Sequence, residues 1–110
     1  MSLLKRKQRD NQPIQATPDA QATPIAEVAP RQRVRVVGQV IRMTARPTSG
    51  EPALAVSISD STGTVTAVWT GRREIGGITL GRRLAIDGVP VMRGGHLEFT
   101  NAGYTLLPTR

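Results

Sequence analysis

Cysteine is absent from the 110 residues. Disulfide scaffolds, cysteine-ligated zinc and thiol catalysis are therefore excluded, and a reducing, cytoplasmic location is the expectation. Histidine occurs once, as His96, so no histidine cluster can hold a metal, and hairpin hydrogen bonding is its simplest role. A histidine-dependent triad would need His96 as its base, and nothing in the sequence puts a nucleophile and a carboxylate around it. Gly76, Gly77 and Gly81 lack the Gly-Lys-Ser/Thr continuation of a phosphate loop. The chain therefore reads as a non-enzyme with no metal, cofactor or small-molecule substrate. No stretch approaches the roughly 18 apolar residues of a membrane span, and "MSLLKRKQRDNQPIQ" has no apolar segment behind its basic cluster. Neither a secretory signal nor a membrane partner is expected.

What the sequence does have is positive charge, carried in an unusual way. The net charge is +7, yet both lysines, Lys5 and Lys7, lie near the start. Every cation from residue 31 onward is an arginine: eleven of them against five carboxylates. The planar guanidinium suits bidentate phosphate contacts and stacks on bases. Solubility alone also accounts for a basic surface, so the charge only begins an argument for nucleic-acid binding.

Residues 1–30 show no helical or strand periodicity and are dominated by Gln, Ala, Thr, Pro and Asp, as in "NQPIQATPDAQATPIAEVAP". Such a stretch offers little apolar surface against a backbone entropy of roughly 1–2 kcal/mol per residue, so a disordered tail is expected, ending near Pro30. Its "KRKQR" reads as a solvated cluster or a loose phosphate-binding arm. Its Thr-Pro pairs at Thr17 and Thr23 are possible phosphorylation sites.

From residue 31 the period changes to two. In "RQRVRVVGQVIRMT", Val34, Val36 and Val40 alternate with Arg33, Arg35 and Gln39, and Gly38 suggests a bulge or sharp coil in a strand long enough to pair with two sheets. After the loop "ARPTSGEPA", Leu54, Val56 and Ile58 face inward. "DSTG" has the chemistry of a hairpin with a left-handed Gly63. In "TVTAVWT", Val65, Ala67 and Trp69 are inward. The glycine-rich connector "TGRREIGGITLG" argues against a stable helix, and Ile75, Ile78 and Leu80 are expected to plug one end of a barrel, with arginines at its rim. "RLAIDGVPVM" forms the fourth strand, with an edge or bulge at Pro90. The "RGG" turn then leads into "HLEFTN" and "YTLLP". This pattern predicts an all-β, five-stranded Greek-key barrel of the OB type over residues 31–110.

The run Asp60-Ser61-Thr62-Gly63-Thr64-Val65, the strand ending at Trp69-Thr70-Gly71, and "I-x-x-G-x-R-L-x-I-x-G" over residues 78–88 resemble OB domains related to tRNA-anticodon-binding modules and to the wedge domain of branched-DNA helicases. Still closer is the resemblance to short single-domain OB-fold proteins of actinobacteria, carried by Gly71-Arg72-Arg73-Glu74-Ile75-Gly76-Gly77-Ile78-Thr79-Leu80-Gly81 and Asn101-Ala102-Gly103-Tyr104-Thr105-Leu106-Leu107-Pro108. The likeness covers residues 32–108.

The resemblance implies binding of single-stranded DNA or RNA across the outer face of the second and third strands. On this chain that face is Ala55, Ser57, Ser59, Thr64, Thr66, Val68 and Thr70, bordered by Arg42, Arg46, Arg93 and His96, with the pairs Arg72–Arg73 and Arg82–Arg83 at the rim. Glu74 and Asp87 are expected to neutralise part of that rim. The face has no aromatic residue for base stacking, since Trp69 and Phe99 point inward by parity and Tyr104 lies near the end. Binding is therefore expected to be weak, salt-sensitive and sequence-tolerant. A protein-interaction module using an exposed edge strand is the alternative.

Overall fold

A computed structural model of the chain describes residues 22–47 and 50–108. The expectations for residues 1–21, including the basic cluster and Thr17, lie outside the described residues. The alternation that begins at Val34 becomes β1 (Val34–Pro47). Six strands follow: β2 (Pro52–Ser59), β3 (Thr64–Thr70), β4 (Arg83–Gly88), β5 (Val91–Arg93), β6 (His96–Thr100) and β7 (Gly103–Leu106). They form one mixed sheet in the order β5-β6-β3-β2-β1-β4-β7, with β3–β6 its parallel pair.

The all-β expectation holds, but there are seven strands rather than five, and the ladder is open between β5 and β7 among the described residues. Two interruptions account for the number. Pro90 has no amide to donate, and the expected fourth strand breaks at Val89–Pro90 into β4 and β5. Asn101, at φ 53°, then turns the chain out of β6, and the last segment pairs with β4 as β7.

β1 has two partners: Val34–Gln39 pairs with β4, and Gln39 onward pairs with β2. Gly38 makes this possible by close approach, since a Cβ there would stand 2.8 Å from the Ser59 carbonyl oxygen. The register shift lies further on, between Val40 and Arg42 rather than at Gly38. The extra residue, Ile41, is exposed and resets the period, so that Val36, Val40 and Met43 all reach the core side while Arg42 faces outward.

The core is the inward set of every long strand: Val36, Leu54, Val56, Ile58, Ile86 and Phe99 are among its members. Trp69 and Phe99 point inward as parity predicts. The Trp69 indole N–H donates to the Ala102 carbonyl at 2.9 Å, and Tyr104 meets its ring edge-on at 5.7 Å. Truncating fully buried Phe99 to Ala is expected to cost about 3–5 kcal/mol.

The connector between β3 and β4 is a chain of turns. Ile75 and Ile78 enter the core as expected, but Leu80 is 67% exposed. The backbone explains this difference: Gly81 N–H bonds Val40 O, Val40 N–H bonds Arg82 O, and Arg82 N–H bonds Thr79 O, so a tight turn held flush against β1 leaves Leu80 at its outer corner.

Residues 22–30, assigned to the tail by composition, lie against the sheet as a strap. Ile25–Glu27 forms a short 3-10 turn, and Ile25 is 5% exposed within the core. The Ile25 and Ala26 amides donate to Asp60 Oδ2 and Thr62 Oγ1, both at 3.0 Å. The Thr23 amide also donates to Arg35 O at 2.8 Å, and Val28 and Ala22 pack on the core clusters; these partners are remote in sequence, and averaged composition cannot register them. The strap also explains Gly63, which is not left-handed: a Cβ there would lie 3.4 Å from Ile25 Cγ2, so glycine leaves room for the strap.

Candidate nucleic-acid interface

Register assembles much of the expected face. Arg42 lies opposite Ser57, Ser57 opposite Thr66, and Thr66 opposite Glu98, forming a row across β1, β2, β3 and β6. The Ser57 and Thr66 hydroxyls are 3.0 Å apart. Ser59 closes the β2 end opposite Thr64, while Arg93 and exposed His96 face each other across the β5–β6 hairpin.

The centre of this face is covered. Ala55 and Val68, expected as contact positions, are buried, with Val68 only 5% exposed, and together with Ala53 they form a small apolar cluster. Glu98, a residue that the sequence reading did not single out, is 8% exposed and carries two arginines. Arg46 Nη1 donates to its Oε2 at 3.1 Å, and Arg93 Nε reaches its Oε1 at 3.1 Å. The available signal was parity: Glu98 alternates with His96 and Thr100 and so shares their face.

The two arginine pairs do not form one rim. Arg72 and Arg73 follow Thr70, which lies opposite Ala53, and the Gly71 amide bonds Pro52 O at 2.7 Å. Arg83 lies opposite Gln39, which is opposite Ser59. The length of β2 therefore separates the pairs, about 20 Å at the usual strand rise.

Their chemistry differs as well. Arg72 and Arg73 are exposed and make no hydrogen bond or ion pair with a described residue, and the same holds for Arg42. Arg82 is half-buried and donates from Nε to Leu107 O at 3.1 Å, and Arg83 is likewise half-buried and engaged. Asp87 is tied to its cross-strand neighbour Arg35 at 2.6 Å, so it neutralises that cation and not the connector.

Beyond the far end of β2, a cleft of about 760 Å³ opens between Thr23, Gln39, Asp60, Gly81 and Arg83. Its carboxylate is already committed. Burial pushes the Asp60 carboxyl up, but the Thr62 hydroxyl and the amides of Ile25, Thr62 and Gly63 outweigh this and hold it below the ordinary aspartate value. Among the described residues, no three His, Cys, Asp or Glu side chains group to hold a metal ion, and no helix is long and apolar enough to cross a membrane.

No protein-family model matches the chain, and no curated relative matches its sequence. The fold does have a counterpart among solved structures. It is similar to part of RecG in its structure bound to a three-way DNA junction, with a TM-score of 0.60 and 18% sequence identity. That similarity covers 69% of this chain and 11% of RecG, so the chain spans a small part of the protein it resembles. At this identity the likeness is one of fold.

Proposed function

We propose that this domain is a nucleic-acid-binding module of the OB type that holds single-stranded DNA or RNA weakly and without sequence preference, through arginine–phosphate contacts. The barrel reading is supported by the chain path. β4 bonds β1 and β7 while β5 bonds β6, and only Val89 and Pro90 separate β4 from β5, so one interrupted strand runs from the β5 edge to the position next to the opposite edge. The observation that carries the binding reading is the exposed set Arg42, Arg72 and Arg73, none committed to a described partner: Arg42 lies opposite Ser57 in the polar Ser57–Thr66 row, and Arg72 and Arg73 follow the Thr70 end of β3. Guanidinium groups in that state contact phosphates without reading bases. RecG, whose fold the chain shares in part, was solved on a DNA junction, which makes branched DNA a natural probe beside single strands.

The test is fluorescence anisotropy of labelled single-stranded DNA, RNA, duplex and a three-way junction, titrated with the full chain at several salt concentrations. Saturable, salt-sensitive binding that is strongest for single strands supports the reading, whereas no binding at low salt overturns it. A protein-docking role has one observation in its favour, since Val89 and Met92 are exposed beside or on the edge strand β5. Retention of a defined protein at high salt, without nucleic-acid binding, is the outcome that selects it. We read the domain as a binding module rather than an enzyme.

A further inference from the structure

The covered centre of the face poses a question that the nucleic-acid reading leaves open. Glu98 is nearly inaccessible, and each of its oxygens takes a different guanidinium, Arg46 from one side and Arg93 from the other. Arg93 comes from β5, next to β6, while Arg46 comes from β1, three strands away in the opposite direction. Ala53, Ala55 and Val68 occupy the outward positions on the strands between Arg46 and Glu98, and all three are buried. The arginine side chains themselves remain 43% and 61% exposed. Solvent, or a ligand, therefore reaches both guanidinium groups while the carboxylate stays beneath them.

A carboxylate gripped by two guanidinium forks is chemically close to a phosphodiester gripped by the same two forks. We propose that Glu98 is an internal competitor for the nucleic-acid backbone: it holds Arg46 and Arg93 across the face, and a phosphate must displace it to recruit them. The inference rests on the nucleic-acid reading and deepens it. The face is self-satisfied without ligand, its two central arginines add little to affinity, and first contact falls to the uncommitted Arg42, Arg72 and Arg73. Displacing Glu98 would also uncover Ala55 and Val68, which the closed face buries.

The experiment compares wild type with Glu98→Gln by anisotropy on a labelled 20-nucleotide single strand across a salt series, with folding checked by circular dichroism. The glutamine keeps the shape but releases the charge. The variant is expected to bind about tenfold more tightly at low salt, with a slope of log K against log salt steeper by about 1.4, as for two added phosphate contacts on a single strand. Adding Arg46→Ala and Arg93→Ala should remove that gain. Glu27→Gln, the same charge change at an exposed strap position, should give a much smaller one. If wild type binds and Glu98→Gln matches it in affinity and slope, or if Glu27→Gln gains equally, the competitor role is overturned and the nucleic-acid reading stands. If neither wild type nor Glu98→Gln binds at low salt, both fall. Should Glu98→Gln fail to fold, Glu98→Asp, too short to span both arginines, is expected to show a smaller gain in the same direction, and an unchanged affinity and slope there overturns the role.

Discussion

The two ends of β2 carry the same kind of residue in opposite states. At the Ser59 end, arginines serve the protein itself: Arg82 bonds the Leu107 carbonyl, Arg83 is engaged, and Arg35 pairs with Asp87 at 2.6 Å. Beside them the Asp60 carboxylate ties down the strap and its own turn. At the Ala53 end, Arg72 and Arg73 stand exposed with no described partner, while Arg46, opposite Ala53, is held by Glu98. What separates the ends is the supply of acceptors within reach. Net charge alone marks neither end as a site, since an arginine already donating to a carbonyl has little left to offer a phosphate.

That contrast is sharpened most by attacking the committed end. Asp60→Ala removes the acceptor for the Ile25, Thr62 and Gly63 amides, and the expected loss is about 2 kcal/mol. For a domain of this size that is roughly 10 °C in melting temperature, read by circular dichroism. Nucleic-acid affinity of the folded variant should change little. The double variant Arg72→Ala/Arg73→Ala should do the reverse, with an unchanged melting temperature and an affinity for single strands lower by about tenfold at low salt. Arg82→Ala breaks one bond to a backbone carbonyl and should cost about 1 kcal/mol of stability while leaving binding as it was.

The smallest expected effect is on pH dependence. The folded Asp60 carboxyl titrates below its unfolded value, so its contribution to stability is present above the unfolded value and disappears as the pH falls through the folded one. The melting temperature should therefore decline below about pH 4. Asp60→Asn, unable to ionise, should be less stable at neutral pH and decline less steeply with acid. Equal acid slopes for the two proteins would separate Asp60 from the strap's stability.

Local pattern made much of this legible. Alternation in "LAVSIS" and "TVTAVW" predicts which side chains enter the core, and Leu54, Ile58, Val65 and Trp69 are found there. Pro90 marks the break in the fourth strand, and Ile75 and Ile78 mark the buried part of the connector. What escaped depends on partners far away in sequence. The strap residue Ile25 is held by Asp60, 35 positions on, and Gly63 answers to that strap rather than to its own turn. Arg46 looks free until the register brings Glu98 to it from 52 positions away. The candidate face was thus readable as a set of residues, but its covered centre was not, because an ion pair across strands exists only once the sheet is assembled.

The most direct test of the account is the slope of log K against log salt on one labelled single strand for wild type, Arg72→Ala/Arg73→Ala and Arg82→Ala. Wild type and Arg82→Ala should run parallel, with the double variant flatter by about 1.4, the loss of two phosphate contacts. Three parallel lines, or a flattening confined to Arg82→Ala, would contradict the claim that the uncommitted arginines at the Ala53 end are the ones that hold nucleic acid.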